Sequence, residues 1–293
     1  MKIAIIGKPF TEKLVPYMQG MFDELAARNT SVLISEYFKV YLQNYLKLPA
    51  NVQTFRRGDS LAGVNFMFSI GGDGTLLDAI TYVGVNEIPV LGINTGRLGF
   101  LATVTYDQIP AAINSLYHGH YTIEDRSLIR ADIDQDVFEG VNYGLNEFSI
   151  LKSHSSTMIV VHTYLDGEYL NSYWADGLIV ATPTGSTGYS LSCGGPVLHP
   201  QTNNFVISPV CPHNLNVRPL VVSDTSVITF EVEGRSNNFL VSLDSRSKQV
   251  DASTKIAVRR ENFNAKLVKI EQVNFLNTLR SKLNWGLDKR NTE

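Results

Sequence analysis

The run Ile70-Gly71-Gly72-Asp73-Gly74-Thr75 sets three glycines around one carboxylate, directly after the apolar stretch Val64 to Phe68. Glycines at 71, 72 and 74 remove the side chains that would hold a ligand's phosphates off the backbone amides, and a helix starting here adds its positive end. A carboxylate inside such a loop repels phosphate. Asp73 therefore needs a chemical task, such as holding Mg²⁺ or taking a proton from an attacking hydroxyl. The competing reading is a tight turn in which the Asp73 side chain caps the helix that follows. Neither the GxxxxGK[ST] loop nor the GxGxxG fingerprint is present, since Leu77 stands where the third glycine of the latter belongs. P-loop kinases and ordinary dinucleotide dehydrogenases are disfavoured.

A second glycine segment, Asn94 to Leu101 (NTGRLGFL), follows the apolar run ending at Ile93. Two such loops can clasp one ligand, with Arg97 as a phosphate partner or as a plain solvated charge. From Asp176 to Pro196 (DGLIVATPTGSTGYSLSCGGP) a strand opens into a dense array of hydroxyls and glycines. That array suits a purine and a ribose. A flexible linker is the bland alternative, opposed by Pro183, Tyr189 and the flanking apolar runs. Asn146-Glu147 pairs an amide with a carboxylate; neighbours on a strand point to opposite faces, so a bend, at an edge or in a loop, is required for both to reach one ligand. The histidines 118, 120, 154, 162, 199 and 213 lack HExxH or other metal spacing, and Ser186, Ser190 and Ser192 lack a GxSxG context.

Elements must hold these loops in place. Strand-like Ile3 to Gly7, helical spacing of Leu14, Met18, Phe22 and Leu25, then Val32 to Ser35 predict βαβ units. Runs Val64 to Ile70 and Ile88 to Ile93 flank a helix over Leu76 to Val83, so residues 1–105 are read as an α/β domain with a parallel sheet and flanking helices. Residues 106–265 turn to short Val/Ile/Thr/Tyr runs with turns such as Asp166-Gly167, an all-β sandwich-like domain. In 266–293, Leu276, Leu279 and Leu283 predict a helix stopped at Trp285-Gly286, returning to the first domain.

Composition narrows the class. The 293 residues carry 25 basic and 28 acidic side chains, a net charge of -3 that draws in neither nucleic acid nor an anionic membrane. Cys193 and Cys211 are too few for a disulfide framework, and no run of about 18 apolar residues is present. A soluble, cytoplasmic protein is expected, with two domains and a ligand cleft.

Taken together, GGDGT, NTGRLGFL, Asn146-Glu147, the Asp176 to Pro196 block and RPLVV at Arg218 to Val222 resemble the NAD kinase family over nearly the whole chain. GGDGT is shared with diacylglycerol kinases and phosphofructokinases, whereas the Asp176 to Pro196 block is more specific. The resemblance implies phosphorylation of the 2′-hydroxyl of the adenosine ribose of NAD, with ATP or polyphosphate as donor, a divalent metal such as Mg²⁺, and a homo-oligomer, dimer or tetramer. It assigns Asp73 as the base, with Gly74 beside the substrate. Asn146 and Glu147 are carried over as the ribose contacts; Asp176 and Thr187, Gly188, Tyr189, Ser190, Leu191 and Ser192 are carried over as the adenosine-side contacts. Departures are Asp78 and Trp174 where basic residues are frequent, Gly188 for alanine, and Arg246 where an amide is common. A diacylglycerol-type lipid kinase and a non-catalytic dinucleotide sensor are the competing expectations. The former lacks a membrane face here, and the latter gains nothing from Asp73.

Overall fold

The computed structural model describes residues 1–50, 52–96, 99–153, 158–270 and 275–284. Two compact units emerge, 1–125 with 265–293 and 126–264.

In the first unit the chain runs β1 (Lys2–Gly7), α1 (Val15–Ala27), β2 (Ser31–Ser35), α2 (Glu36–Leu42), β3 (Gln53–Phe55), β4 (Phe66–Gly71), α3 (Asp73–Val83), β5 (Val90–Asn94), β6 (Val104–Thr105) and α4 (Ile109–His118). The strands pair in parallel in the order β5-β4-β1-β2-β3, with Ile5 beside Phe68 and Ile34, and Ile70 beside Ile93. Every residue of β4 and β5 is buried, as a parallel sheet covered on its faces demands. The stripe Met18, Phe22 and Leu25 of α1 packs into a core with Ile5, Ile34, Phe38, Phe68 and Ile93. Because α4 buries Ile109, Ala112, Ile113 and Leu116 in that same core, the unit continues past residue 105.

The second unit is antiparallel: β7 (Tyr121–Ile133) enters it, followed by β8 (Tyr143–Gly144), β9 (Glu147–Lys152), β10 (Ile159–Leu165), β11 (Glu168–Ala175), β12 (Gly177–Ala181), the short α5 (Tyr189–Ser192), β13 (Asn204–Val210), β14 (Leu220–Ser223), β15 (Ile228–Glu233), β16 (Asn238–Leu243), β17 (Arg246–Asp251) and β18 (Ile256–Ile270). One sheet has the order β14-β13-β12-β9-β16-β17, and β11-β10-β15-β18 lie in another. Their facing residues, among them Phe148, Val180, Phe205 and Val241 from the former and Val161, Phe230 and Val258 from the latter, form the core of a sandwich. β15 alternates buried Ile228, Phe230 and Val232 with outward neighbours, the period-two pattern of a half-buried strand. The β10–β11 turn is Asp166-Gly167, both with positive φ (52° and 86°), as a two-residue hairpin requires.

β18 leaves this unit at Asn264, and its last residues belong to the first, where Leu267 pairs with Val90. The closing helix α6 (Phe275–Leu283) is also part of the first unit. It buries Thr278 and Leu279, whereas Leu276 and Leu283 are exposed, so its apolar face is narrower than the leucine spacing predicts. The expected stop at Trp285-Gly286 lies outside the described residues. Among the described residues no helix is long and apolar enough to cross a membrane.

Candidate active site

Gly71 ends β4 and Asp73 is the first residue of α3, so the loop sits at the carboxyl end of a parallel strand, where open α/β sheets bind ligands. Its glycines differ in purpose. Gly71 has φ +154°, and a Cβ there would meet Thr75 Oγ1 at 2.2 Å, a folding constraint; at Gly72 and Gly74 a Cβ would meet no described residue within 4 Å. These two leave open space beside backbone amides at a helix start.

The helix-cap reading of Asp73 fails, because the cap residue is Gly72 and no side-chain cap bond is present. Asp73 instead accepts backbone hydrogen bonds from Phe100 (2.8 Å to Oδ2), Leu101 (3.1 Å to Oδ1) and Ala102 (3.0 Å to Oδ1). The close approach needs Gly99, whose Cβ would lie 1.9 Å from Asp73 Oδ1. Asn94 tightens the same turn through Gly96 N–H, 2.7 Å from its Oδ1. One carboxylate thus joins the two glycine segments, and bonds of N–H to a charged acceptor are worth about 1.5–3 kcal/mol each. Arg97 lies outside the described residues.

In the second unit Asn146 precedes β9 and Glu147 is its first residue. β9 is an interior strand between β12 and β16, so the pair stands at a strand end and not at a sheet edge. The backbone turns there, and both side chains reach Gly188: a Cβ on Gly188 would sit 3.1 Å from Glu147 Oε2 and 3.8 Å from Asn146 Nδ2. Among the described residues Glu147 Oε2, which is buried, has no hydrogen-bond partner. Burial first, then repulsion from Asp244, push the Glu147 carboxyl up to about 8 against a backbone bond from Tyr189 that lowers it. Near neutral pH Glu147 carries its proton.

The hydroxyl-rich block splits in two. Thr182 Oγ1 donates to Leu145 O (2.6 Å), Ser186 Oγ donates to Pro183 O (2.7 Å) and accepts from Leu198 N, and Ser190 Oγ is buried 2.8 Å from Ser208 Oγ. These hydroxyls are spent inside the fold. Thr187, Gly188 and Leu191 are half-buried while Tyr189 and Ser192 are exposed, which leaves them reachable. Asp176 pairs with Lys152 at 2.7 Å.

Two of the departures, Asp78 and Arg246, have a local partner. Asp78 binds Lys8 (3.0 Å) and Trp174 is exposed on β11. Arg246 donates to the carbonyls of Val141 and Tyr143. Asp244, which sequence reasoning passed over, is half-buried and accepts from three consecutive backbone amides, Leu145, Asn146 and Glu147. No local pattern marks it, since an aspartate in a hairpin turn is ordinary turn chemistry.

A parallel α/β unit with a glycine–aspartate loop at its strand ends, continuous in chain with an antiparallel sandwich bearing a hydroxyl-rich turn, defines a two-unit protein of the kind that handles phosphorylated ligands. Residues 3–121 match the ATP-NAD kinase N-terminal domain and residues 145–270 the ATP-NAD kinase C-terminal domain. The NAD kinase of Cytophaga hutchinsonii is 51% identical over 292 residues, 99% of this chain and 100% of that protein. The NAD kinase of Flavobacterium psychrophilum is 44% identical over 294 residues, with 99% and 100% covered. The chain belongs to the ATP-NAD kinase family. Among solved structures, yeast NADH kinase complexed with NADH superposes with a TM-score of 0.89 at 22% identity, covering 100% of this chain and 90% of that one, a likeness of fold. An NAD kinase from Archaeoglobus fulgidus in complex with ATP gives 0.74 at 26% identity, with 97% and 99% covered.

Proposed function

We propose that this chain phosphorylates NAD at the 2′-hydroxyl of its adenosine ribose, with ATP as donor, to give NADP. The observation that carries the reading is the match of both halves of the chain to the two ATP-NAD kinase domains. The ribose oxygen attacks the terminal phosphorus of the donor, the bond to the leaving diphosphate oxygen breaks, and the hydroxyl proton goes to a carboxylate.

Asp73 is our assignment for that carboxylate. A carboxylate offers about four lone-pair positions, and three are filled by Phe100, Leu101 and Ala102. The remaining one suits a single hydroxyl, held in a fixed direction by the other three bonds. Gly74 leaves space beside it. Positioning of this kind supplies most of the acceleration in phosphoryl transfer. Asn146 and Glu147 are assigned to the ribose, and Thr187, Gly188, Tyr189, Leu191 and Ser192 with Asp176 to the adenosine side; Ser190 contributes through its backbone. Protonated Glu147 would donate to a ribose oxygen.

Among the described residues no group of three or more His, Cys, Asp or Glu can hold a metal ion. A divalent cation, Mg²⁺ in our reading, is assigned to the donor's phosphates, a mode that needs few protein ligands. A homo-oligomer and a cytoplasmic location complete the proposal. The test is NADP⁺ formation from NAD, ATP and Mg²⁺, read with an NADP-specific dehydrogenase, for wild type and Asp73→Asn. Loss of turnover with retained NAD binding is expected in the variant. A folded wild type that makes no NADP⁺ with ATP or polyphosphate refutes the reading.

A further inference from the structure

The residues assigned to the ribose do not hold themselves in place. Asn146 and Glu147 stand where β8 passes into β9, and the segment Val141–Glu147 is gripped by the turn between β16 and β17. That turn is the two-residue loop Asp244-Ser245, since Leu243 pairs with Arg246. Asp244 Oδ1 accepts from Asn146 N (2.7 Å) and Glu147 N (3.2 Å), and Oδ2 accepts from Leu145 N (2.8 Å). Its own N–H donates to Glu147 O at 3.0 Å. Two residues on, the Arg246 guanidinium binds the carbonyls of Val141 and Tyr143. Burial pushes the Asp244 carboxyl up, against the three backbone bonds and Arg246, which pull it down; its oxygens meet backbone donors and the guanidinium meets backbone acceptors, so the segment is fixed at both ends.

Turn geometry alone does not call for a carboxylate. Asp244 has φ +52°, a conformation that asparagine adopts as readily. Nor does packing, since burying a charge is unfavourable unless bonds compensate it. What distinguishes the carboxylate is that it offers acceptors and no donor toward three N–H groups. Gly144 makes room for it: a Cβ there would come within 2.8 Å of Asp244 Oδ1.

We infer that Asp244 is a positioning residue for phosphoryl transfer, holding the 145–147 backbone so that the Asn146 and Glu147 side chains meet the acceptor ribose in one geometry. This rests on the assignment of Asn146 and Glu147 to the ribose. A displacement of about 1 Å in such a site costs up to about 100-fold in rate. Asp244→Asn keeps the turn residue and the shape but turns an amide donor toward N–H groups.

The experiment is steady-state kinetics on the full-length chain with NAD and ATP, for Asp244→Asn, Glu147→Gln, Asn146→Ala and the double variant Asp244→Asn with Glu147→Gln. In Asp244→Asn we expect kcat/KM for NAD to fall about tenfold or more, with KM for ATP within about twofold of wild type. In the Glu147→Gln background the same change should cost less than in the wild type, because part of what Asp244 positions is already altered there. Wild-type NAD kinetics in a folded Asp244→Asn chain, or full additivity in the double variant, overturns the inference. Wild-type NAD kinetics in both Glu147→Gln and Asn146→Ala would instead defeat the ribose assignment, and with it the route through Asp244. Should Asp244→Asn not fold, Gly144→Ala decides: its Cβ displaces the Asp244 carboxyl group while leaving that residue in place. A folded Gly144→Ala chain with unchanged kcat/KM for NAD overturns the inference as well.

Discussion

Replacing Glu147 with glutamine tests the electrostatics of the site without substrate. The Glu147 carboxyl stands at about 8 in the folded chain against an ordinary 4.5, through burial and the facing Asp244. The other ionisable groups that face it are Tyr189 and Cys193 beside α5, while Arg246 lies against Asp244. The raised value means that between these two limits the native state holds a proton the unfolded chain has released. Stability from this group is therefore complete below about 4.5 and is lost as pH rises toward about 8. Each unit inside that window costs about 1.4 kcal/mol, so from about pH 6 to about pH 7.5 the wild type loses about 2 kcal/mol through Glu147 alone. That is a large share of a typical total of about 5–15 kcal/mol. Glu147→Gln keeps the shape and never charges, so the loss disappears. Urea unfolding of both chains at the two pH values reads the effect as a difference of differences, in which groups common to both chains cancel. The variant should gain about 2 kcal/mol on the wild type at the higher pH. A gap that stays constant within about 0.5 kcal/mol, the scale of uncoupled sites, would refute the buried, protonated Glu147.

Three further outcomes follow from contacts already described. Asp73→Asn should lower kcat by about 100-fold or more, the span of a lost general base, with NAD affinity by calorimetry nearly unchanged; turnover near wild type removes Asp73 from the chemistry. Gly99→Ala would drive a Cβ to 1.9 Å from Asp73 Oδ1, so the Phe100–Ala102 bonds must break, and activity should fall with it while circular dichroism holds; a fully active variant would show that this turn has no part in catalysis. Phe148→Ala empties a fully buried position of the sandwich core and should cost about 3–5 kcal/mol in urea unfolding, whereas a cost below about 1 kcal/mol would place that ring outside the core.

The amino-acid sequence by itself determined what short-range physics controls. Glycine density at 71–74 marks a strand-to-helix loop, and the run Met18, Phe22, Leu25 marks a helix face. Asp166-Gly167 marks a hairpin turn whose two residues both need positive φ. Each depends on residues within one turn or one strand of each other, so spacing suffices to read them. The family was legible for the same reason, since its motifs are contiguous strings. The tertiary structure decided how those groups are used. Asp73 reads equally as a cap or a working carboxylate until residues 27 to 29 positions away bring their N–H groups to it. Ser190 reads as a ligand contact until Ser208 is found against it. Asp244 carries no local signal, and only the amides 97 to 99 positions away that converge on its carboxyl group mark it. In the same way, the proton on Glu147 follows from burial and from a neighbour distant in sequence. Hydrogen bonding and desolvation act over a few ångströms of space, and separation along the chain does not report that distance.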